Sequence, residues 1–332
     1  MDASPLLTDL LEQVSRSFYK TMQLLPGAVR PQISLAYLLA RTTDTIADTA
    51  LVPVDKRLEA LRAYRDRVLG KSAEPLKFGD LAANQGSPSE RILLERTEEA
   101  LSLLNELRPD DLQRVREVLT TIISGQELDL IRFAHASESR VLALQTEGEL
   151  DGYTYRVAGC VGEFWTKMCR THLFPTEKID DTFLIQNGVR FGKGLQLVNI
   201  LRDLPADLRQ GRCYIPREKL ASVGMAPEDL LNAENISRFR PVYDNLLDLA
   251  FSHLRAGWDY TNALPRRQAK VRIACALPIL IGVRTLERLR QENVLDASRR
   301  IKISRGEVRG LLFGLLWKQF FPSLWRSQFP QS

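Results

Sequence analysis

The sequence predicts an all-α fold, and three observations carry that prediction. Apolar residues recur at steps of three, four and seven, as in Leu93, Ala100, Leu104 and Leu107, and again in Val115, Leu119 and Ile122. Such steps gather side chains on one face of a helix. Sustained period-two alternation, the signature of half-buried strands, is hard to find. Two S/T-x-x-E boxes mark helix starts, Thr146 with Glu149 ahead of DGYTYRVAG and Ser304 with Glu307 ahead of EVRGLLFGLLW.

In chain order, a helical run begins at ISLAYLLA and continues through ARTTDTIADT. The segment KSAEPLKFGDLAANQGSPSE (71–90), rich in Gly, Pro and Ser, interrupts the periodicity. Similar helical composition on both sides makes it a loop inside one domain spanning 1–332. The helical segment GLQLVNILRDLPADLRQGR contains Pro205, whose missing donor and ring clash with the Leu201 carbonyl predict a kink or an end there. The irregular stretch QGRCYIPREKLASVGMAPEDL (210–230) follows its most polar part and is expected at the mouth of a site.

With 332 residues, 44% hydrophobic and 26% charged, the chain has the composition of a folded globular protein. Its formal charge is +5, and 35 of its 46 basic residues are Arg. That ratio suits planar recognition of carboxylates or phosphates. The basic residues are spread along the chain and no zinc-finger or RNP-type motif appears, so no nucleic-acid partner is expected. Cys160, Cys169, Cys213 and Cys275 form no CxxC pair, and His135, His172 and His253 form no HxxxH. This argues against a thiolate or imidazole zinc site. The start MDASPLLTDLLEQ lacks a basic segment followed by an apolar run, which reads as a cytoplasmic protein with reduced thiols.

The longest apolar runs, LPILIGV (277–283) and LLFGLLW (311–317), are shorter than the roughly 18 residues of a membrane span. The tail GLLFGLLWKQFFPSLWRSQF is nevertheless aromatic and flanked by Arg. Two readings remain open for it: a terminal helix packed on the domain, or a peripheral membrane contact lying in the interface.

The chemistry concentrates in two acidic pairs. Asp44 and Asp48 stand four apart in an apolar helical context, which puts both carboxylates on one face about 6 Å apart. Arg41 lies on the same face. The spacing recurs at Asp203 and Asp207, preceded on the same stripe by Asn199 and Gln196. Oxygen donors without His or Cys select hard cations, Mg²⁺ above all, which leaves positions open for phosphate oxygens. Either pair alone could be a solvated face with Arg41, Arg202 or Arg209 as partners. Two such pairs on two otherwise apolar helices favour a metal site.

Five segments, VSRSFY (14–19), AYLLARTTDTIADT (36–49), YTYRVAGCVG (153–162), GLQLVNILRDLPADLRQGRCYIP (194–216) and RRIKISRGEV (299–308), occur in the order of the squalene/phytoene synthase family, which the chain resembles over nearly its whole length. The resemblance implies a single all-α, isoprenoid-synthase-type bundle around a deep apolar cavity. It implies that Asp44 and Asp48, with Asn199, Asp203 and Asp207, hold Mg²⁺ ions bridging prenyl diphosphates, and that Gln196, Arg16, Arg41 and Arg212 meet substrate. Tyr153, with Tyr37 and Phe18, would present aromatic faces to an allylic cation.

The motifs DTIAD and KISRG are more similar to the squalene-forming branch. That implies condensation of two farnesyl diphosphates followed by NADPH reduction, with Asn293, Lys302 and Arg305 holding the nucleotide. Phytoene, dehydrosqualene or hydroxysqualene formation is the alternative within the family. A non-catalytic assembly protein is the alternative outside it, against which the survival of both carboxylate pairs argues. Ala274 departs from the pattern, standing where many eukaryotic squalene-forming relatives carry an aromatic residue.

Overall fold

A computed structural model describes residues 9–15, 22–299 and 301–330 of the chain. They form two compact units, one from Met1–Ala134 with Lys167–Pro175 and the other from His135–Thr166 with Thr176–Ser332. Both are helical. The two strands among the described residues, β1 (Leu142–Ala143) and β2 (Arg212–Cys213), are two residues each and pair in parallel, Leu142 opposite Arg212.

The first unit is built on helices α1 (Arg30–Asp48), α2 (Val54–Val68), α3 (Pro88–Glu95) and α4 (Pro109–Arg132). Pro31 occupies the first turn of α1, where a missing N–H costs nothing. This helix is buried almost all round, including Thr42, Thr43 and Thr45. Those hydroxyls are tolerated because each donates to a carbonyl of its own helix, at Leu38 (3.1 Å), Ala40 (2.7 Å) and Arg41 (3.0 Å). From α2, buried Arg57 donates to the Ala47 carbonyl at 2.6 Å and Tyr64 to the Leu39 carbonyl at 2.9 Å. The end of α1 that carries the acidic pair is thus tied down by side chains of its neighbour.

Leu93, Ala100, Leu104 and Leu107 are all buried, but they do not share one helix. The chain breaks at Arg96 (φ −101°, ψ 15°) into Thr97–Ser102 and a 3₁₀ turn over Leu103–Glu106. Val115, Leu119 and Ile122 do share one, the buried face of α4.

The second unit contains α5 (Glu147–Thr154), a π-helical turn over Tyr155–Gly159, the start of α6 (Cys160–Leu173), and helices α7 (Asp181–Arg209), α8 (Ile236–Ala263), α9 (Ala269–Gln291), α10 (Arg305–Lys318) and α11 (Pro322–Arg326). Both predicted helix starts are present. Ser304 and Glu307 form the full reciprocal box, with Glu307 N–H donating to Ser304 Oγ (3.2 Å) and Ser304 N–H to Glu307 Oε2 (2.8 Å). Thr146 caps α5 by accepting from Glu149 N–H, while the Glu149 carboxylate takes the N–H of Gln145 instead.

The glycines of VAGCVG and NGVRFGKG serve close helix approach. A Cβ on Gly162 would lie 1.9 Å from the Gly188 carbonyl oxygen, and one on Gly192 would lie 2.1 Å from that of Ala158. Only a residue without Cβ lets α7 meet α6 and the π-helical turn at this distance.

Of the two outcomes expected at Pro205, a kink or an end, the end does not occur. Helix α7 runs on to Arg209. The carbonyl that Pro205 leaves without its i→i−4 donor belongs to Leu201, and the hydroxyl of Tyr243 on α8 donates to that oxygen at 3.0 Å. Leu201, Leu204 and Leu208 are buried alongside. Tertiary packing therefore supplies what the proline removes.

All four cysteines are buried and none forms a disulfide. No helix among the described residues is long and apolar enough to cross a membrane.

Candidate active site

On α1 the few positions left unburied between Ile33 and Asp48 include Tyr37, Arg41, Asp44 and Asp48, at steps of four, three and four. They form one stripe on a helix whose other faces are packed. Arg41 forms an ion pair with Glu90 of α3 and lies 3.7 Å from Asp44. Gln126 of α4 donates through Nε2 to Asp44 Oδ1 at 2.6 Å. Burial, and then the like charge of Asp48, push the Asp44 carboxyl up to about 7, while Arg41 and Gln126 work against that rise. Its side chain keeps 39% of its surface open. Crowding without full occlusion describes a carboxylate recessed yet reachable. Burial likewise raises the Tyr37 hydroxyl.

Glu90 and Gln126 escaped the sequence reading. They stand 49 residues after Arg41 and 82 residues after Asp44, and no local spacing connects them.

On α7 the same construction recurs within the second unit. Gln196, Asn199, Asp203 and Asp207 escape burial while Leu197, Val198, Ile200, Leu201, Leu204 and Leu208 are buried. Arg202 grips Asp203 through both ends of its guanidinium, with Nε to Oδ1 at 2.9 Å. Continuation of α7 past Pro205 keeps Asp203 and Asp207 on one helix, four residues apart.

Tyr153, at the end of α5, stacks on Tyr214 with ring centroids 4.8 Å apart and planes at 24°. Tyr214 belongs to the GRCYIP segment but was not singled out as a site residue. It follows β2, whose Arg212 is paired in register with Leu142. Tyr155 opens the π-helical turn and donates to Glu163 at 3.2 Å, while Lys193 of α7 lies over its ring and pairs with Asp151 at 2.6 Å. Such turns inside helices concentrate at functional sites.

Lys302 and Arg305 are exposed around the start of α10. Asn293 is engaged on both sides, donating to the distant Ala233 carbonyl and accepting from Leu295 N–H in its own turn, both at 3.0 Å. Arg16 and Phe18 lie outside the described residues.

Among the described residues no three His, Cys, Asp or Glu side chains cluster as a metal cage. The donor chemistry still fits Mg²⁺, which is usually held by one or two carboxylates and completes its shell with water and substrate phosphate. The crowded Asp44 beside Asp48 is a pair whose mutual repulsion a divalent cation would relieve.

Solved structures share this helical fold. A ligand complex of TcSQS superposes with a TM-score of 0.77 at 20% identity, over 97% of this chain and 89% of that one. The squalene synthase HpnC from Alicyclobacillus acidocaldarius gives 0.61 at 20% identity, over 86% and 92%. Residues 11–307 match the squalene/phytoene synthase family, and the chain belongs to that family of prenyltransferase-type enzymes.

Among relatives, the presqualene diphosphate synthase of Rhodopseudomonas palustris is 30% identical over 76% of this chain and 77% of its own length. The squalene synthase of Saccharomyces cerevisiae is 25% identical over 84% of this chain and 60% of its own. A bifunctional lycopene cyclase/phytoene synthase of Colletotrichum graminicola is 28% identical over 77% of this chain. The chain spans 41% of the length of that last relative, and so only part of several of the curated proteins it matches.

Proposed function

We propose that the protein condenses two molecules of farnesyl diphosphate head to head through presqualene diphosphate and reduces the product to squalene with NADPH. The observation that carries this reading is that α1 and α7 each present two carboxylates four residues apart at unburied positions, with buried apolar residues between and beside them. Asp44 and Asp48 would hold Mg²⁺ on one stripe, and Asn199, Asp203 and Asp207 on the other, Arg202 giving up its grip on Asp203. Bound there, the metal supplies charge neutralisation to a diphosphate leaving group.

The chain's own residues supply the rest. Arg41 and Arg212, with Arg16, would pair with diphosphate oxygens and lower the barrier to allylic ionisation, and Gln196 would orient the substrate. The stacked ring of Tyr153, with Tyr37 and Phe18, would face the allylic cation and stabilise it without adding to it. The double bond of the second molecule attacks that cation. A proton would then be lost to released diphosphate as the cyclopropane closes. NADPH, when bound, would supply hydride to the cation left after a second ionisation and rearrangement. Lys302 and Arg305 are the exposed cations that would pair with its phosphates, with Asn293 nearby in sequence.

The relatives named squalene synthase and presqualene diphosphate synthase support this reaction class. The test is incubation of purified protein with farnesyl diphosphate and Mg²⁺, with and without NADPH, followed by mass analysis of the extract. Squalene formed only with NADPH is the expected result. Presqualene diphosphate, dehydrosqualene or hydroxysqualene formed regardless of NADPH would overturn the reductive step and keep the condensation. No turnover with farnesyl diphosphate, but phytoene from geranylgeranyl diphosphate, would overturn the substrate.

A further inference from the structure

The C-terminal segment is held to the second unit by a few side chains and presents the remainder outward. Trp325 of α11 is buried, stacks on Trp258 of α8 at 5.5 Å, donates to Asn262 Oδ1 at 2.9 Å and lies under the Arg272 guanidinium at 4.6 Å. Phe329 packs on Trp258 and Phe251, and Leu315 of α10 is fully buried. With these anchors in place, Phe313, Leu316, Trp317, Phe320, Phe321 and Leu324 retain between 44 and 73% exposure. Single exposed apolar residues are ordinary, whereas six large ones in twelve consecutive positions form a patch.

Charge within the segment itself has one sign. From residue 308 to residue 330 there is no Asp or Glu, while Arg309, Lys318 and Arg326 interrupt the apolar sequence. Large aromatic side chains flanked by cations match the depth profile of a lipid interface, with rings at the headgroup level and guanidinium or ammonium groups meeting anionic headgroups.

We infer that this face is a membrane-docking surface for anionic lipid, into which Phe313, Trp317 and Phe320 insert while Arg309 and Lys318 engage the headgroups. Binding is peripheral and reversible, since one shallow patch and a few cations give modest affinity. The inference stands on the tail alone, whatever the reaction catalysed.

The test is flotation of the full chain with vesicles of phosphatidylcholine alone or mixed with phosphatidylglycerol, at low and high salt. Expected is at least tenfold stronger partition into the anionic vesicles, weakened by salt. Trp317→Gln with Phe320→Gln should lower partition at least tenfold, and so should Arg309→Glu with Lys318→Glu. Because Trp317 is the exposed tryptophan among the four, its emission should shift to the blue on vesicle addition, and Trp317→Phe should abolish the shift without abolishing flotation. Arg309, Trp317 and Phe320 are exposed and Lys318 is half-buried, and an unchanged melting temperature verifies the fold of each variant. Equal partition into both vesicle types, undiminished flotation of the Gln double variant, or no flotation would overturn the inference. A dimer in velocity sedimentation that the Gln double variant dissolves, in a chain that does not float, would assign the face to a second copy instead.

Discussion

The hydroxyl of Tyr243 donates to the carbonyl oxygen of Leu201, four residues before Pro205, and occupies the position that a backbone N–H at 205 would have filled. A proline in mid-helix leaves one carbonyl without its donor. Here the neighbouring helix provides one, and burial of both groups makes the replacement matter.

A thermodynamic cycle tests the replacement. Tyr243→Phe should cost about 1–3 kcal/mol in urea unfolding, because it leaves a buried carbonyl unpaired. In a Pro205→Ala background the restored N–H takes over, and the same substitution should cost about 1 kcal/mol less. Strict additivity of the two substitutions would show that the Tyr243 hydroxyl does not substitute for the missing donor.

Asp48→Asn and Asp203→Asn each remove a charge from one stripe at a position that is not buried. Turnover of prenyl diphosphate should fall by about a thousandfold or more in each, with circular dichroism and melting temperature nearly unchanged. Retained activity in either variant refutes the metal assignment for that stripe.

On the proposed metal site, Gln126 would act through Asp44 as a positioning residue. Gln126→Ala frees the carboxylate to rotate, and should lower kcat/KM about tenfold while raising the Mg²⁺ concentration needed for half-maximal activity. A change in kcat/KM without a change in metal requirement would show that Gln126 serves something other than the carboxylate.

Gly192→Ala should be among the most damaging single-methyl additions, because the new Cβ would lie 2.1 Å from a backbone oxygen that cannot yield without moving a helix. A loss of about 3 kcal/mol or more, or failure to fold, is expected. Gly310→Ala, with nothing within 4 Å inside α10, should instead stabilise by about 0.5–1 kcal/mol. Thermal melts of the two variants decide the matter.

His253 provides a pH-dependent contribution to stability. Burial, reinforced by the cations of Arg190 and Lys193, pushes its imidazole down to about 4, against about 6.5 in the unfolded chain. Between those values the unfolded chain takes up a proton that the folded protein refuses. Stability from this group is therefore full above pH 6.5, falls as pH drops towards 4, and levels off below. Relative to His253→Gln, the wild type should lose about 1 kcal/mol between pH 7 and pH 5, after allowance for partial exposure. Parallel stability curves for the two proteins would place the His253 pKa near its ordinary value.

What was legible in the sequence was local. The steps through Val115, Leu119 and Ile122, the box of Ser304 and Glu307, and the four-residue spacings of Asp44 with Asp48 and Asp203 with Asp207 all follow from helical geometry. Helical geometry relates residues within one or two turns, and for that reason spacing alone could find them. The use of the glycines was half legible: their type announced close approach, but what approached did not follow from it.

Only the tertiary structure decided the rest. It selected Gln126 and Glu90 as the partners of Asp44 and Arg41, and stacked Tyr214 on Tyr153. It placed Trp325 inward and Trp317 outward, and carried α7 through Pro205. Each depends on which atoms distant parts of the chain bring together. Local propensity made Pro205 a break, and a hydroxyl 42 residues away made it a continuation, because a buried carbonyl is satisfied by whichever donor packing brings within reach.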